Sequence, residues 1–196
     1  PVEGVSLDDK AQVSRILLGA GFDITQMNAV RQHLSRLKGG GLARLAAPAP
    51  VRAYILSDVI GDDLRVIASG PTAAPILDRA AVHAALAETG TLDQMPASVQ
   101  RVLGAADVPL GANPAVNTLI ASNRQSLDAA LAAASLPARI VSDHLTGDVG
   151  DAAQAILKAA GETPRPCALI FGGETTVTLT GTGTGGRNQE LALRVA

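Results

Sequence analysis

The second half of the chain alternates short apolar segments with helix-like segments, and this alternation restricts the fold more than any other feature. Residues 116–123, 138–143 and 167–173 contain runs of Val, Ile, Leu and Ala, which is typical of buried strands. Residues 124–134 and 151–160 are rich in Ala and have helical periodicity. Strands that alternate with helices predict an α/β fold with mainly parallel sheets.

The first half of the sequence predicts helices and one strand. Asp23 is a suitable N-cap for a helix whose apolar positions continue at helical spacing to Leu37, before the glycines of "KGGG" end it. Residues 51–58, "VRAYILSD", predict a strand, and residues 78–90 and 96–103 predict two further helices. The first half therefore also combines helices with a strand.

Composition excludes several classes of partner. The formal net charge is −2, and no charged tail is present, so neither nucleic acid nor an anionic membrane is indicated as a partner. No segment approaches the ~20 apolar residues of a membrane span, and the first residues have no signal-peptide pattern. We therefore expect a soluble, cytoplasmic protein.

Four predicted strands end in pairs of small polar residues or glycines. These pairs are Ser57-Asp58, Ser122-Asn123, Ser142-Asp143 and Gly172-Gly173. In open α/β sheets, ligands bind outside the carboxyl ends of the strands. The sequence therefore predicts a ligand site formed by these strand ends.

A glycine-rich tract at residues 181–190, "GTGTGGRNQE", follows a segment "TVTLT" that alternates like a strand. The glycine spacing fits the G-x-G-x-x-G fingerprint of dinucleotide sites, and the composition also fits a plain hairpin turn. A third interpretation is an anion site formed by the amides of Gly185 and Gly186 and by a helix that starts near Arg187. An arginine at a helix start is electrostatically unfavourable unless an anion binds there, which favours the third interpretation.

For each of the other candidate residues, a purely structural role is an alternative to a role in binding. Asp58, Asp62 and Asp63 could hold Mg²⁺ or form an acidic turn. The loop that starts at Ser69 could line a pocket or be a simple turn, and the polar stripe that ends at Lys38 could border a ligand cleft or face solvent.

Four tracts occur in the order "NAVRQHLSRLKGGGLA", "LSDVIGDDLRVIASGPT", "IASNRQSLDAA" and "GGETTVTLTGTGTGGRNQELAL". Together they closely resemble the glycerate 2-kinases whose C-terminal part is the MOFRL domain, some of which carry the label hydroxypyruvate reductase. Members of that family are longer, so we expect this chain to be an incomplete central portion. The resemblance implies two three-layer α/β/α domains with the active site in the cleft between them. Residues 1–110 would belong to the N-terminal domain, and residues 111–196 would begin the MOFRL-type domain.

The resemblance also implies the reaction, which is ATP- and Mg²⁺-dependent phosphorylation of D-glycerate at the 2-hydroxyl to give 2-phosphoglycerate. Arg187 matches the functional arginine of the family and is the expected catalytic residue. Asp58, Asp62 and Asp63 are the candidate metal ligands. We expect the substrates and their phosphate groups to be bound by Ser57, Lys38, Ser69, Gly172, Gly173, Glu174, Thr175, Gly185, Gly186 and Asn188.

The sequence leaves two alternative functions open. One is an NAD(P)H-dependent hydroxypyruvate reductase, in which the glycine-rich tract would bind the dinucleotide. The other is a non-catalytic module that binds a small hydroxy acid. The expected partners are the small molecules D-glycerate and ATP, and a homodimer is the candidate assembly.

The segment after "ASGPT" departs from the Asp/Pro-rich loop of the family, which leaves that side of the predicted cleft unassigned.

Overall fold

The computed structural model describes residues 1–106, 115–181 and 183–196. The chain divides into two compact units. Unit 1 comprises Pro1–Ile55 and Asp63–Leu119, and unit 2 comprises Leu56–Asp62 and Ile120–Ala196. The predicted domain boundary between residues 110 and 111 lies outside the described residues.

Unit 1 is mainly helical, and it contains helices after Asp23 and near residues 78–90 and 96–103, where they were predicted. Its helices are α1 (Leu7–Gly19), α2 (Ile24–His33), α3 (Gly41–Ala46), α4 (Arg79–Glu88) and α5 (Ala97–Gly104), with 3₁₀ turns at Ile67–Ser69 and Leu92–Gln94. Its core joins α1, α2, α4 and α5 through buried aliphatic side chains such as Leu17, Leu34, Leu86 and Leu103. Burying each such leucine stabilises the fold by about 1.5–3 kcal/mol.

Helix α2 begins as predicted and ends earlier than predicted. Asp23 caps it, because the Asp23 side chain accepts from the Gln26 amide at 2.8 Å and the Gln26 side chain accepts from the Asp23 amide at 2.9 Å. The helix stops at His33 although the apolar periodicity continues to Leu37. The Ser35 hydroxyl accepts from the amides of Leu37 and Lys38, and this local turn replaces the helical hydrogen bonds.

Strands β1 (Arg52–Leu56) and β2 (Val116–Ala121) form a two-stranded sheet. The Val116 amide donates to the Val51 carbonyl at one end, and the Ser57 amide donates to the Ala121 carbonyl at the other. The starts of the two strands therefore pair with each other, and so do their ends. This pairing makes the sheet parallel.

Unit 2 contains a second parallel sheet with helices around it. Its elements are α6 (Asn123–Ala132), β3 (Ala138–Asp148), α7 (Val149–Glu162), β4 (Ala168–Thr176) and α8 (Arg187–Val195). Strand β3 pairs with β4 in parallel, from Ala138 opposite Ala168 to Asp148 opposite Thr176, and α7 connects them. The predicted α/β class with parallel strands is confirmed.

Two strand predictions for unit 2 are wrong. Ser142-Asp143 and Gly172-Gly173 do not end their strands, because β3 and β4 continue to Asp148 and Thr176. Register shifts on both sides of Ser142 accommodate extra residues of β3, so that pairing resumes beyond them. The segment 177–180 is not a strand, and Leu179 in it is 85% exposed. Alternation gives a preference for extended structure, but a strand also needs a neighbour with which to pair.

Within the described residues, none of the helices combines the length and the apolar character that crossing a membrane requires.

Candidate active site

Unit 2 contains a polar cavity of about 460 Å³, which lies where several of its elements end or begin. Ser57 and Asp58, which follow β1, contribute to its wall, and Ser122 and Asn123 contribute at the junction of β2 and α6. Glu174 of β4 also lines it, together with Arg187 and Asn188 from the start of α8. The predicted convergence of polar strand ends therefore occurs for the pairs 57–58 and 122–123.

Two helices present their first residues to this cavity. Helix α6 starts at Asn123, and its N-cap Ser122 accepts from the Gln125 amide at 3.3 Å. Helix α8 starts at Arg187. Its N-cap is Gly186, which has no side chain that could cap the helix. The N-terminus of a helix carries about half a positive charge, so both helices favour an anion at this position.

Arg187 is held at the cavity by Glu174. The Arg187 Nη2 atom lies 2.6 Å from Glu174 Oε1, and the two side chains are 47% and 54% exposed. An ion pair of this exposure is worth about 0–1 kcal/mol. The pair therefore orients the guanidinium without a strong interaction that an incoming anion would have to overcome.

Gly172 allows helix α6 to approach the sheet closely. A Cβ atom at this position would lie 2.5 Å from Asn123 Oδ1 and 2.8 Å from Leu127 Cδ1. Asn123 Nδ2 donates in turn to the carbonyl oxygen of Asp143 at 2.7 Å. Gly172 thus acts through packing that positions Asn123.

Asn123 was not among the predicted binding residues, although it belongs to one of the polar pairs that we identified at strand ends. The available signal was its place directly after an apolar strand and at the start of a helix. Ser122 and Ser126 line the cavity as well and were also not predicted as site residues. Single-sequence reasoning could place these residues at a strand end, but it could not tell which of them share one cavity.

Two other predicted groups lie away from this cavity wall. Gly185 and Gly186 line a different cavity of about 530 Å³, whose described lining comes from residues 177–181, 183–186, 189, 190, 193 and 194 and does not include Arg187. Thr175 is 4% exposed and is not part of either lining. Side chains alternate along a strand, so Thr175 is expected on the face opposite to its neighbour Glu174.

The glycine-rich tract connects β4 to α8 instead of to another strand, so it is not the turn of a hairpin. Ten residues, 177–186, separate the end of β4 from the start of α8. A dinucleotide fingerprint requires a tight turn directly between strand and helix, and this context is not found here. Thr182 within the tract lies outside the described residues.

The three candidate metal ligands have different surroundings. Asp58 lines the unit 2 cavity. Asp63 forms a two-pronged ion pair with Arg65, with Nη2–Oδ2 and Nε–Oδ1 distances of 2.7 and 3.0 Å, and these hydrogen bonds hold the pKa of Asp63 below its ordinary value. Asp62 lies in a turn with a positive φ of 54°. Across residues 1–106, 115–181 and 183–196, no group of three or more His, Cys, Asp or Glu side chains is arranged to hold a metal ion.

In unit 1, the predicted residues Lys38 and Ser69 are in direct contact. Lys38 Nζ donates to Ser69 Oγ at 2.9 Å, and Ser69 Oγ donates to Asn28 Oδ1 at 3.4 Å. Ser69 is 5% exposed and has a φ of 62°, and its neighbour Ala68 has a φ of 51°. Such left-handed conformations cost about 1–3 kcal/mol each for non-glycine residues and often occur at functional sites.

Comparison with known proteins places the chain in a family. Residues 1–104 match the model of a family described as a domain of unknown function, DUF4147. The chain belongs to the DUF4147 family. Residues 167–196 match the MOFRL family in addition. The resemblance that the four ordered tracts predicted is therefore confirmed.

Relatives of this DUF4147 chain carry two kinds of name. A D-glycerate 2-kinase of Thermotoga maritima is 37% identical over 206 residues, which cover 100% of this chain and 49% of that protein. A protein of Agrobacterium vitis with a hydroxypyruvate reductase name is 40% identical over 210 residues, which cover 100% of this chain and 54% of that protein. The crystal structure of a glycerate kinase from Thermotoga maritima matches with a TM-score of 0.85 at 35% identity, over 100% of this chain and 49% of that one. The chain thus spans about half the length of the relatives that it matches.

The surroundings of Lys38 in this DUF4147 chain lead to a measurable prediction. Burial lowers the pKa of Lys38, and the positive charges of Arg31 and Lys10 lower it further, because all three effects disfavour the ammonium form. The chain contains three lysines, Lys10, Lys38 and Lys158. After reductive ¹³C-methylation, we expect the NMR resonance that disappears in Lys38→Arg to titrate below the ordinary lysine pKa. Lys158→Arg serves as the assignment control, and a Lys38 midpoint at or above the ordinary value would contradict the burial argument.

Proposed function

We propose that the protein that contains this chain, called the intact protein below, phosphorylates D-glycerate at its 2-hydroxyl with ATP and releases 2-phosphoglycerate and ADP. The observation that carries this proposal is the unit 2 cavity, where Arg187 meets the N-termini of α6 and α8. The names of the Thermotoga maritima relatives support glycerate as the acceptor.

The donors at the cavity suit phosphoryl transfer. The transferring phosphoryl group develops charge on its oxygens, and catalysis depends on positioning and on charge neutralisation more than on covalent chemistry. Arg187 presents a planar set of N–H donors that matches phosphate or carboxylate oxygens. In this proposal, Arg187 binds the transferring phosphoryl group or the carboxylate of glycerate, and Glu174 keeps its guanidinium aimed at the cavity.

The remaining polar lining suits a small hydroxy acid. Ser57, Asn123 and Asn188 offer a hydroxyl and two amide groups, which both donate and accept hydrogen bonds. D-Glycerate carries two hydroxyl groups and one carboxylate, so it needs both kinds of partner. We assign the binding of these groups to the three side chains and to the positive end of α6.

Asp58 fits the metal that such a reaction uses. Mg²⁺ in nucleotide sites is commonly held by one or two carboxylates together with phosphate oxygens and water. One carboxylate at the cavity is therefore a sufficient contribution from this chain, and we assign this role to Asp58 rather than to Asp63, which is paired with Arg65. When bound, Mg²⁺ neutralises charge on the phosphate oxygens.

The domain assignment is part of the same proposal. Residues 1–110 would form part of the N-terminal glycerate kinase domain, and residues 111–196 would begin the MOFRL-type domain. The matches to DUF4147 at residues 1–104 and to MOFRL at residues 167–196 support this division. Lys38 and Ser69 then belong to the N-terminal domain as candidate substrate-binding residues. The cytoplasmic location and the homodimer remain predictions.

The test is a coupled assay of the intact protein with ATP and D-glycerate. We expect ADP formation that depends on D-glycerate, and ³¹P NMR should identify the product as 2-phosphoglycerate. Chelation of divalent cations by EDTA should abolish turnover, and added MgCl₂ should restore it. ADP formation that does not depend on D-glycerate, or a 3-phosphoglycerate product, would contradict the proposal.

The reductase alternative is supported by the name of the Agrobacterium vitis relative. It requires oxidation of NAD(P)H by the intact protein when hydroxypyruvate is added, without ATP. The glycine-rich tract does not have the strand–turn–helix context of a dinucleotide site, and for this reason we rank the reductase below the kinase. Binding of D-glycerate without turnover of ATP or NAD(P)H would support the third candidate, a non-catalytic module.

A further inference from the structure

Unit 1 contains a cavity of about 520 Å³ whose lining is strongly basic. Among the described residues, its lining contains the cationic side chains of Arg36, Lys38, Arg44 and Arg79 and the carboxylate of Asp78. We propose that this cavity binds a small, multiply charged anion of the phosphate or polycarboxylate class, at a site distinct from the unit 2 cavity lined by Arg187. The inference rests on the proposed function only through Lys38, which lines this cavity and which we also named as a candidate substrate-binding residue.

Three of the cationic side chains in this lining, those of Arg36, Lys38 and Arg44, have no carboxylate partner among the described residues. Arg44 Nη1 donates to the Gly39 carbonyl at 3.2 Å, and Lys38 Nζ donates to the Ser69 hydroxyl at 2.9 Å, so both have neutral partners. Like charges that share a cavity without a counter-charge repel each other, and a bound anion would remove this repulsion.

Asp78, the carboxylate in the described part of the lining, already has a structural role. Asp78 is the N-cap of α4, and its Oδ1 atom accepts from the Ala81 amide at 2.7 Å. Asp78 therefore caps a helix, and it forms no ion pair with Arg36, Lys38 or Arg44. His33 also faces the cavity, and its Nε2 atom lies 2.9 Å from the Leu77 carbonyl oxygen.

The chain is folded tightly where it presents the basic groups. A Cβ atom on Gly41 would overlap the carbonyl oxygen of Arg36, and Gly40 has a φ of 76°. This close turn brings Arg36, Lys38 and Arg44 to one cavity within nine residues of sequence. Their convergence is thus imposed by the backbone.

An anion in this cavity would be bound by side chains and not by backbone amides. The amides at the start of α3 are already used, because Gly41 donates to the Lys38 carbonyl and Leu42 donates to the carbonyls of Leu37 and Pro71. The volume is within the range of ordinary small-molecule sites and exceeds that of a single phosphate ion. An organic phosphate or a tricarboxylate is therefore a better match in size and charge than a simple inorganic ion.

The test is isothermal titration calorimetry of the intact protein with inorganic pyrophosphate and, separately, with citrate. We expect at least one probe to bind, and we expect the double variant Arg36→Ala/Arg44→Ala to weaken that binding about 100-fold, or roughly tenfold for each charged donor removed. Arg15→Ala/Arg101→Ala is the matched control, because it removes the same charge from exposed positions on α1 and α5. Arg36→Gln/Arg44→Gln repeats the test with longer side chains in case the alanine variant folds poorly.

Each outcome supports or overturns the inference. Binding of pyrophosphate alone identifies a phosphate-type ligand, and binding of citrate alone identifies a polycarboxylate. No binding of either probe at millimolar concentration would overturn the site, and so would an equal loss in the two arginine-to-alanine double variants. Loss in Arg187→Ala with full retention in Arg36→Ala/Arg44→Ala would assign the binding to the unit 2 cavity. Because the probes are bound without turnover, a failed kinase assay would leave this result intact.

Discussion

The Arg187→Ala variant of the intact protein is expected to lower kcat/KM for ATP-dependent phosphorylation of D-glycerate about 10³-fold or more. An arginine that neutralises the transferring phosphoryl group contributes a rate factor of this order. The loss should appear mainly in kcat if Arg187 binds the phosphoryl group, and mainly in KM for D-glycerate if it binds the carboxylate. Steady-state kinetics with each substrate varied in turn will measure both parameters.

The control for Arg187→Ala is Arg139→Ala. Arg139 is an exposed arginine of β3 that donates to the Thr163 hydroxyl at 3.0 Å and does not line the unit 2 cavity. We expect its removal to leave turnover within about twofold, since surface substitutions of this kind have small effects. Stability should also change little in Arg187→Ala, because its exposed ion pair with Glu174 contributes at most about 1 kcal/mol. Wild-type turnover in Arg187→Ala would refute the assigned role.

The largest effect on stability is expected for Gly173→Ala. Gly173 pairs with Leu145 and has a φ of 147°, and a Cβ atom there would overlap backbone atoms of Leu145. A backbone clash cannot be relieved by rotating a side chain, so β3 and β4 would have to separate locally. We expect the free energy of unfolding to fall by about 3 kcal/mol or more. Urea denaturation followed by far-UV circular dichroism will measure it.

Gly161→Ala is the matched substitution for this experiment. Gly161 lies in α7, and no atom lies within 4 Å of the position that its Cβ would occupy. Alanine is favoured over glycine in helices by about 1 kcal/mol, so this variant should be as stable as the wild type or slightly more stable. Equal stability of Gly173→Ala and the wild type would show that the β3–β4 contact at Leu145 is less close than described.

Local signals in the sequence predicted much of the fold. The apolar runs placed β1 and β2, and Asp23 placed the start of α2, because these features depend on neighbours only a few residues away. The position of Arg187 at a helix start could likewise be predicted from the glycines that precede it. The four ordered tracts identified the family, since such a combination rarely arises by chance.

Local signals failed where distant contacts decide the outcome. Strand β3 continues through two register shifts in its pairing with β4. The early end of α2 is an exception, because the nearby Ser35 hydroxyl sets it. The apolar pattern contains neither event. In the same way, the contact between Lys38 and Ser69 joins residues 31 positions apart, and no spacing rule predicts it.

By itself, the sequence determined the class of fold, the helix starts and the family, because hydrophobic periodicity and capping act over a few residues. Only the tertiary structure decided which polar groups share a cavity. It joined Arg187 with Asp58 and Asn123, and it placed Gly185 and Gly186 in a different cavity. The physical reason is that a binding site depends on the packing of whole elements, and the register of a strand or the approach of a helix to a glycine is set by atoms far away in sequence.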